Sequence, residues 1–219
     1  MPAKGDVEME LKEIFEAVTV TLDNENSGRE AGLGLSREAI QFCANSIRAI
    51  HRGDREESEK LRGQAHDAIE KAREILTPYP RIRYAGFLQD AEKEYAEACC
   101  TYALIVGDPL PVPDDIGIEA AQYLNGLGEA IGEMRRHVLD LMRINDLERA
   151  EVILGLMDDV YYLLASMDYP NAITAGLKRT NDMVRSVLER TRGDLTTANR
   201  RHHLEVTIQE LETKLENLK

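Results

Sequence analysis

Glu94 and Glu97 lie three residues apart, and Glu129 and Glu133 four apart, each pair in a run that reads as helix. On a helix, side chains at these spacings share a face, with about 5–6 Å between Cβ atoms. Asp90, Glu94 and Glu97 form one stripe, and Phe87, Ala98, Thr101 and Ile105 continue it, so the acids extend a face that turns inward to a core. Carboxylates placed in this way repel one another and resist loss of water. They need a proton, a cationic partner or a metal. Lys93 is the one basic residue nearby. If the two stripes face each other, four carboxylates converge, and such a set of hard oxygen donors suits Mg2+ or Mn2+. Each pair alone also has an ordinary reading as a solvated helix surface.

A di-metal bundle of the ferritin type requires Glu-x-x-His on two helices. None of His51, His66, His137, His202 or His203 has a glutamate three residues before it, which excludes that reading. The second stripe sits among Gly126, Gly128 and Gly132. Each costs a helix about 0.5–1 kcal/mol relative to alanine. The expectation is that another helix or a ligand approaches this backbone closely.

The elements that must position these groups are helices. Aromatic residues make up 5% of the chain, tryptophan is absent, and no alternating β-branched run demands a sheet. Helical periodicity runs over residues 6–52, with glycines 28, 32 and 34 marking a break, a bend or a close contact. Gly53 and Asp54 stop that helix and cap a second one to about Leu76. A third spans about Arg81 to Val106 and ends at the loop GDPLPVPDD. Further helices run to about Ile144 and about Met167, the latter opened by NDLERAE. The last follows DYPN, carries a possible kink near RGDLTT and ends in a leucine stripe at Leu204, Ile208, Leu211, Leu215 and Leu218 that suits partner binding. The chain is read as all-α, a single domain over residues 1–219 of six or seven mostly long helices, with 1–5 disordered and 200–219 extending the last helix.

The net charge of −13 argues against nucleic-acid binding through overall charge, so any such binding must be local. Charge is uneven: Tyr84 to Met134 holds ten acids against one lysine, whereas Lys178 to Arg201 holds seven basic residues against three acids. Cys43, Cys99 and Cys100 have no disulfide or zinc spacing and point to a reducing, cytoplasmic setting. No run is long enough to span a membrane.

Several segments carry a family resemblance. YLNGLGEAIGEMRR resembles the Tyr-Leu-x-Gly-Leu-x-Asp/Glu-x-x-Gly-Glu-x-x-Arg segment of the translin family, and LQDAEKEYAEA resembles the Gln-Glu-x-x-Glu-Ala helix of its catalytic branch, translin-associated factor X. SIRAIHRGD and DYPNAITAGLKRTNDMVRSVLERTRGDL resemble further conserved stretches, so the similarity spans most of residues 9–195. The resemblance implies a seven-helix protomer in a hollow, roughly octameric shell holding RNA or single-stranded DNA. In the factor X branch, inner acidic residues bind Mg2+ and cut single-stranded RNA internally. Carried over, the metal ligands and catalytic residues are Glu94, Glu97, Glu129 and Glu133. Glu129 departs from the eukaryotic pattern, where that position is usually Asp. Translin itself carries basic and aromatic residues near the position of FLQDAEKE, so the acids here favour the catalytic branch. One chain in both roles would resemble the single-component archaeal homo-oligomers.

Phosphate grip near an anionic site needs cations, for which Arg48, His51, Arg52, Arg135 and Arg136 are candidates; pairing with the many acids is the ordinary alternative. Tyr84, Tyr95 and Tyr123 could stack on bases but have the spacing of packing residues. The expected function is a Mg2+-dependent endoribonuclease. The competing readings are a non-catalytic shell that binds RNA or single-stranded DNA, and a purely structural oligomer.

Overall fold

Alanine-rich and charged runs form helix, and a glycine in the left-handed conformation or a proline lies just past several of their ends. The computed structural model describes residues 4–217, among which there are eight α-helices, one short 3-10 turn and no strand. Six helices are long: α1 (Lys4–His51), α2 (Arg55–Leu76), α4 (Phe87–Val106), α5 (Ala120–Arg143), α6 (Leu147–Ala165) and α8 (Leu177–Glu216). Two are single turns, α3 (Pro80–Arg83) and α7 (Asn171–Thr174), and the 3-10 turn covers Pro113–Ile116. The expected disorder over 1–5 falls, for its first three residues, outside the described residues; Lys4 and Gly5 belong to α1. Leu218 also lies outside them.

The caps follow side-chain chemistry. Asp54 accepts from the Glu57 N–H at the start of α2, and Asp146 accepts from the Arg149 N–H at the start of α6. Gly53, Gly107 and Gly176 supply the left-handed backbone between helices. The helix expected from Arg81 to Val106 is split, because Gly86 with φ of 107° separates α3 from α4. By contrast α1 runs unbroken through Gly28 and Gly32. A Cβ on Gly28 would lie 2.5 Å from the Tyr79 ring, and one on Gly32 would lie 2.8 Å from Leu76. These glycines make room for the end of α2. Helix α8 likewise continues through the RGDLTT segment.

Helices α4 and α5 lie at the centre. The former packs on α1, α2 and α5, and the latter also on α6 and α8. Leu76, Leu88, Ile131, Met134, Met157 and Leu195 are fully buried where these helices meet. Both ends of the chain leave the core: every residue from Met9 to Asn24 and from His203 to Asn217 is exposed. The stripe of Leu204, Ile208, Leu211 and Leu215 is therefore uncovered in the protomer, as are Leu11, Ile14, Phe15 and Val18.

Candidate metal and nucleic-acid site

The two acidic stripes do face each other, and Gly126 is the reason they can. A Cβ there would lie 2.5 Å from the Lys93 carbonyl oxygen and 2.8 Å from the Glu97 nitrogen, so α5 rests directly on the α4 backbone at the turn carrying Glu94 and Glu97. Gly128 is held by α8, whose Thr180 occupies the space of a side chain. Gly132 meets nothing within 4 Å, so the expected close approach holds for two of the three.

At this crossing Glu94, Glu97 and Glu129 place carboxylate oxygens within 4.8 Å of one another. Lys93 enters from the side: its Nζ donates to Glu129 Oε1 at 2.7 Å and lies 3.6 Å from Glu94 Oε1. One ammonium thus serves two carboxylates, and Glu97 has no cationic partner in hydrogen-bond reach among the described residues. Burial pushes the Glu97 carboxyl up to about 8, and the charges of Glu94, Glu129 and Glu133 add to this. Burial also holds Glu94 above the ordinary range, although Lys93 opposes it. Burial acts against the charge of Lys93, but the hydrogen bond and charge of Glu129, with Glu94 and Asp90, more than offset it and hold the ammonium above its ordinary range. A dense acidic site with too little positive charge is the result.

Glu133 stands apart from the trio. Its Oε2 accepts from His51 Nε2 at 2.6 Å and lies 3.7 Å from Arg136. The His51 hydrogen bond lowers its pKa, the opposite of what happens to Glu97. Four expected ligands thus resolve into three converging oxygens and a fourth carboxylate held by histidine at the rim.

The expected phosphate-gripping residues divide in the same way. The His51 side chain is only 3% exposed, and its Nδ1 is buried without a partner, so it orients Glu133 instead of meeting solvent. Arg135 points to α8, where it donates to Asp194 at 2.8 Å and to Thr191 at 3.2 Å. Arg136 remains half-exposed beside Glu133. Arg48 donates to Asn45 at 2.7 Å, and Arg52 is exposed beyond the end of α1. Tyr95 and Tyr123 are buried, the latter donating to the Pro111 carbonyl, whereas Tyr84 is 61% exposed.

The donor set fits a hard divalent cation. Two oxygens bound to one Mg2+ can be no more than about 4.2 Å apart, twice the metal–oxygen distance. The oxygens of the trio lie within 4.8 Å of one another, close to that limit. Among the described residues, this crossing holds the one set of three potential ligands that meets such a spacing.

An all-α chain whose two central helices cross at glycine to face partly buried carboxylates defines a class of helical protein with an acidic site. No family model matches the chain. It is 30% identical to AfC3PO, solved alone and as a duplex RNA complex; the match covers 85% of this chain and 97% of that one with a TM-score of 0.76. Apo-NeC3PO matches over 90% of this chain and 98% of its own with a TM-score of 0.73, and at 19% identity shows the fold alone. The chain is also 32% identical to the uncharacterized protein MJ0175 of Methanocaldococcus jannaschii, over 80% of this chain and 78% of that protein. The chain belongs to the translin-like C3PO family.

Proposed function

We propose that this protein is a metal-dependent endoribonuclease of the factor X type, acting on single-stranded RNA inside a homo-oligomeric shell, with Mg2+ or Mn2+ as cofactor. The observation that carries the reading is the Glu94–Glu97–Glu129 trio, partly buried with too little positive charge to neutralise it. These three would hold the cation, and Glu133 would act from the rim. When bound, a divalent cation polarises the scissile phosphate and lowers the pKa of a water that attacks phosphorus.

The remaining steps belong to side chains. Glu97 must lose its proton before it can serve as a ligand. Lys93, beside Glu129 and Glu94, would offer its ammonium to a phosphate oxygen. The buried His51 fixes the Glu133 carboxylate by donating from Nε2. Arg136 is the cation best placed for an adjoining phosphate. Contacts of this kind read the backbone, so sequence preference is weak.

Assembly is expected through the exposed leucine stripe of α8, the octamer being the expected form. Truncation after residue 200 should then lower the solution mass; an unchanged mass by light scattering counts against the contact. No helix among the described residues is long and apolar enough to cross a membrane. All three cysteines are free and buried, which suits a cytoplasmic protein.

A second reading, a shell that binds RNA or single-stranded DNA without cutting, is favoured by one observation. Lys93 already partly neutralises Glu94 and Glu129. The test is cleavage of a fluorescent single-stranded RNA, with its duplex form in parallel, under Mg2+, Mn2+ and chelator. Metal-dependent cutting that Glu97→Gln abolishes supports the nuclease. Retention without cutting under all three conditions moves the protein to the binding shell.

A further inference from the structure

Beside the carboxylate trio, a cavity of about 510 Å³ opens between the start of α4, the first half of α5 and the junction of α7 with α8. It shares Lys93 and Glu129 with the acidic site, and Asp90 also borders it. Along α5 its lining runs from Glu129 through Asn125 to Gln122, seven residues of helix or about 10 Å. At its other margin are Tyr84 and Arg179.

Three features suit this cavity to a ligand. The Gln122 side chain lines it on a residue only 8% exposed, and its buried carboxamide oxygen has no hydrogen-bond partner. An unmade hydrogen bond of this kind is costly unless a ligand or water completes it. Its neighbour Asn125, by contrast, is saturated: it accepts from Thr180 at 2.6 Å and donates to the Thr174 carbonyl at 2.9 Å, which fixes the wall. The rim includes Ala175, whose φ of 48° is a strained conformation for a residue with a Cβ. Finally, α8 opens at Gly176 without a side-chain cap and carries Lys178 and Arg179 in its first turn, where the helix dipole favours an anion. Arg179 is exposed and forms no ion pair among the described residues.

We propose that this cavity is the subsite for the nucleotide adjoining the scissile bond, with the Arg179 guanidinium and the α8 amino terminus on its phosphate, the Tyr84 ring on its base, and Gln122 Oε1 accepting from a sugar hydroxyl or base amino group. The ligand class is a ribonucleotide unit of an unpaired strand, since a paired base presents neither a free face nor a free Watson–Crick edge. Asp90 and Glu129 border the end next to the metal site, where an anion is tolerated only with the cation present. Arg179 therefore supplies the affinity that survives without metal. The inference rests on the nuclease reading for the position of the bond, but not for the binding itself.

The test uses the full-length protein in chelator, so that nothing is cut, with a fluorescent single-stranded RNA and the DNA of the same sequence. Arg179→Gln should raise Kd for RNA by about tenfold, the scale of a lost charge-assisted contact. Gln122→Met, close in volume, should weaken RNA several-fold, and an equal loss for DNA would point to a base contact. Arg190→Gln, an exposed α8 change outside the cavity, controls for general charge and should leave Kd unchanged. Unchanged RNA affinity in both cavity variants overturns the subsite, as does an equal loss with Arg190→Gln. A wild-type protein that retains no RNA overturns both this and the proposed function. Weakened binding in the cavity variants, with no cleavage by wild type under Mg2+, keeps the subsite and removes only the nuclease.

Discussion

Helix α4 withdraws acids from water on two of its faces, Glu92 fully and Glu94 and Glu97 in part, and the two faces are treated differently. Glu92, turned to α2 and 4% exposed, meets Arg73 Nε and Nη2 at 2.9 and 2.6 Å, and Arg73 is shared with Glu70 at 2.5 Å. Glu94 and Glu97, turned to α5, meet the Glu129 carboxylate and one shared lysine. A buried charge with its own geometrically matched partner is a structural element. A partly buried charge left short of partners is a candidate for binding an external ligand. The same helix therefore separates an acid that fastens α2 to α4 from acids short of positive charge, which the proposed cation would supply.

The largest expected difference between the two faces lies in chemistry. Glu97→Gln should lower RNA cleavage by about 10²–10³, the scale of a lost electrostatic contact to a transition state, with folding intact. Single-turnover assays and circular dichroism read the two quantities. Wild-type cleavage in Glu97→Gln would remove this face from the mechanism.

Arg73→Ala should do the reverse. Leaving Glu92 buried and unpaired should cost about 3–5 kcal/mol of stability, measured by denaturant unfolding. Any cleavage by the folded fraction should stay near the wild-type rate. Loss of catalysis without loss of stability would break the division.

Two of the three glycines of α5 sharpen the comparison at smaller scale. Gly126→Ala sets a Cβ against the α4 backbone and should destabilise by about 1–3 kcal/mol while separating Glu129 from Glu97. Gly132→Ala meets open space and should stabilise the helix by about 0.5–1 kcal/mol. Equal effects at both positions would contradict the helix crossing described here.

The smallest expected effect is on pH dependence. Because the Glu97 carboxyl is raised in the fold, its protonated form is the favoured one. Its contribution to stability is complete below the unfolded carboxylate range and is lost as pH rises through about 8. Metal-free protein should therefore lose thermal stability from pH 6 to 9, and Mg2+ should restore it. Mg2+ affinity should rise by about tenfold per pH unit below about 8 as the competing proton leaves. Glu133, lowered by His51, contributes in the opposite sense, and only at acid pH. A melting temperature flat across this range in chelator would sink the assignment.

Much of the site could be read from spacing, because a helix converts spacing directly into a shared face. Glu94 with Glu97, and the glycine-rich run that brings Glu129 to them, needed only that rule. His51 and Glu133 are 82 residues apart, and nothing local to either marks the hydrogen bond between them. It depends on where packing against α4 brings the end of α1 relative to α5. Arg135 and Arg136 are adjacent, yet one turns to Asp194 on α8 and the other to Glu133. Only the tertiary packing of α8 separates them. In the same way Gly126 and Gly132 are identical as residues and differ only in what packs opposite. Gly28 and Gly32 could equally have marked a bend; Tyr79 and Leu76, which fill the space beside them, settle that α1 is continuous. Local rules identified the helices and the acids, and the partners of each polar group became visible only with the packing.

The central claim is that the α4–α5 crossing holds a divalent cation between Glu94, Glu97 and Glu129. The most direct measurement is the anomalous difference density of a crystal equilibrated with Mn2+. The account predicts a peak bounded by these three carboxylates, with the Lys93 ammonium drawn away from Glu129. Lys93 still bound to Glu129, with no peak at the crossing, would contradict it.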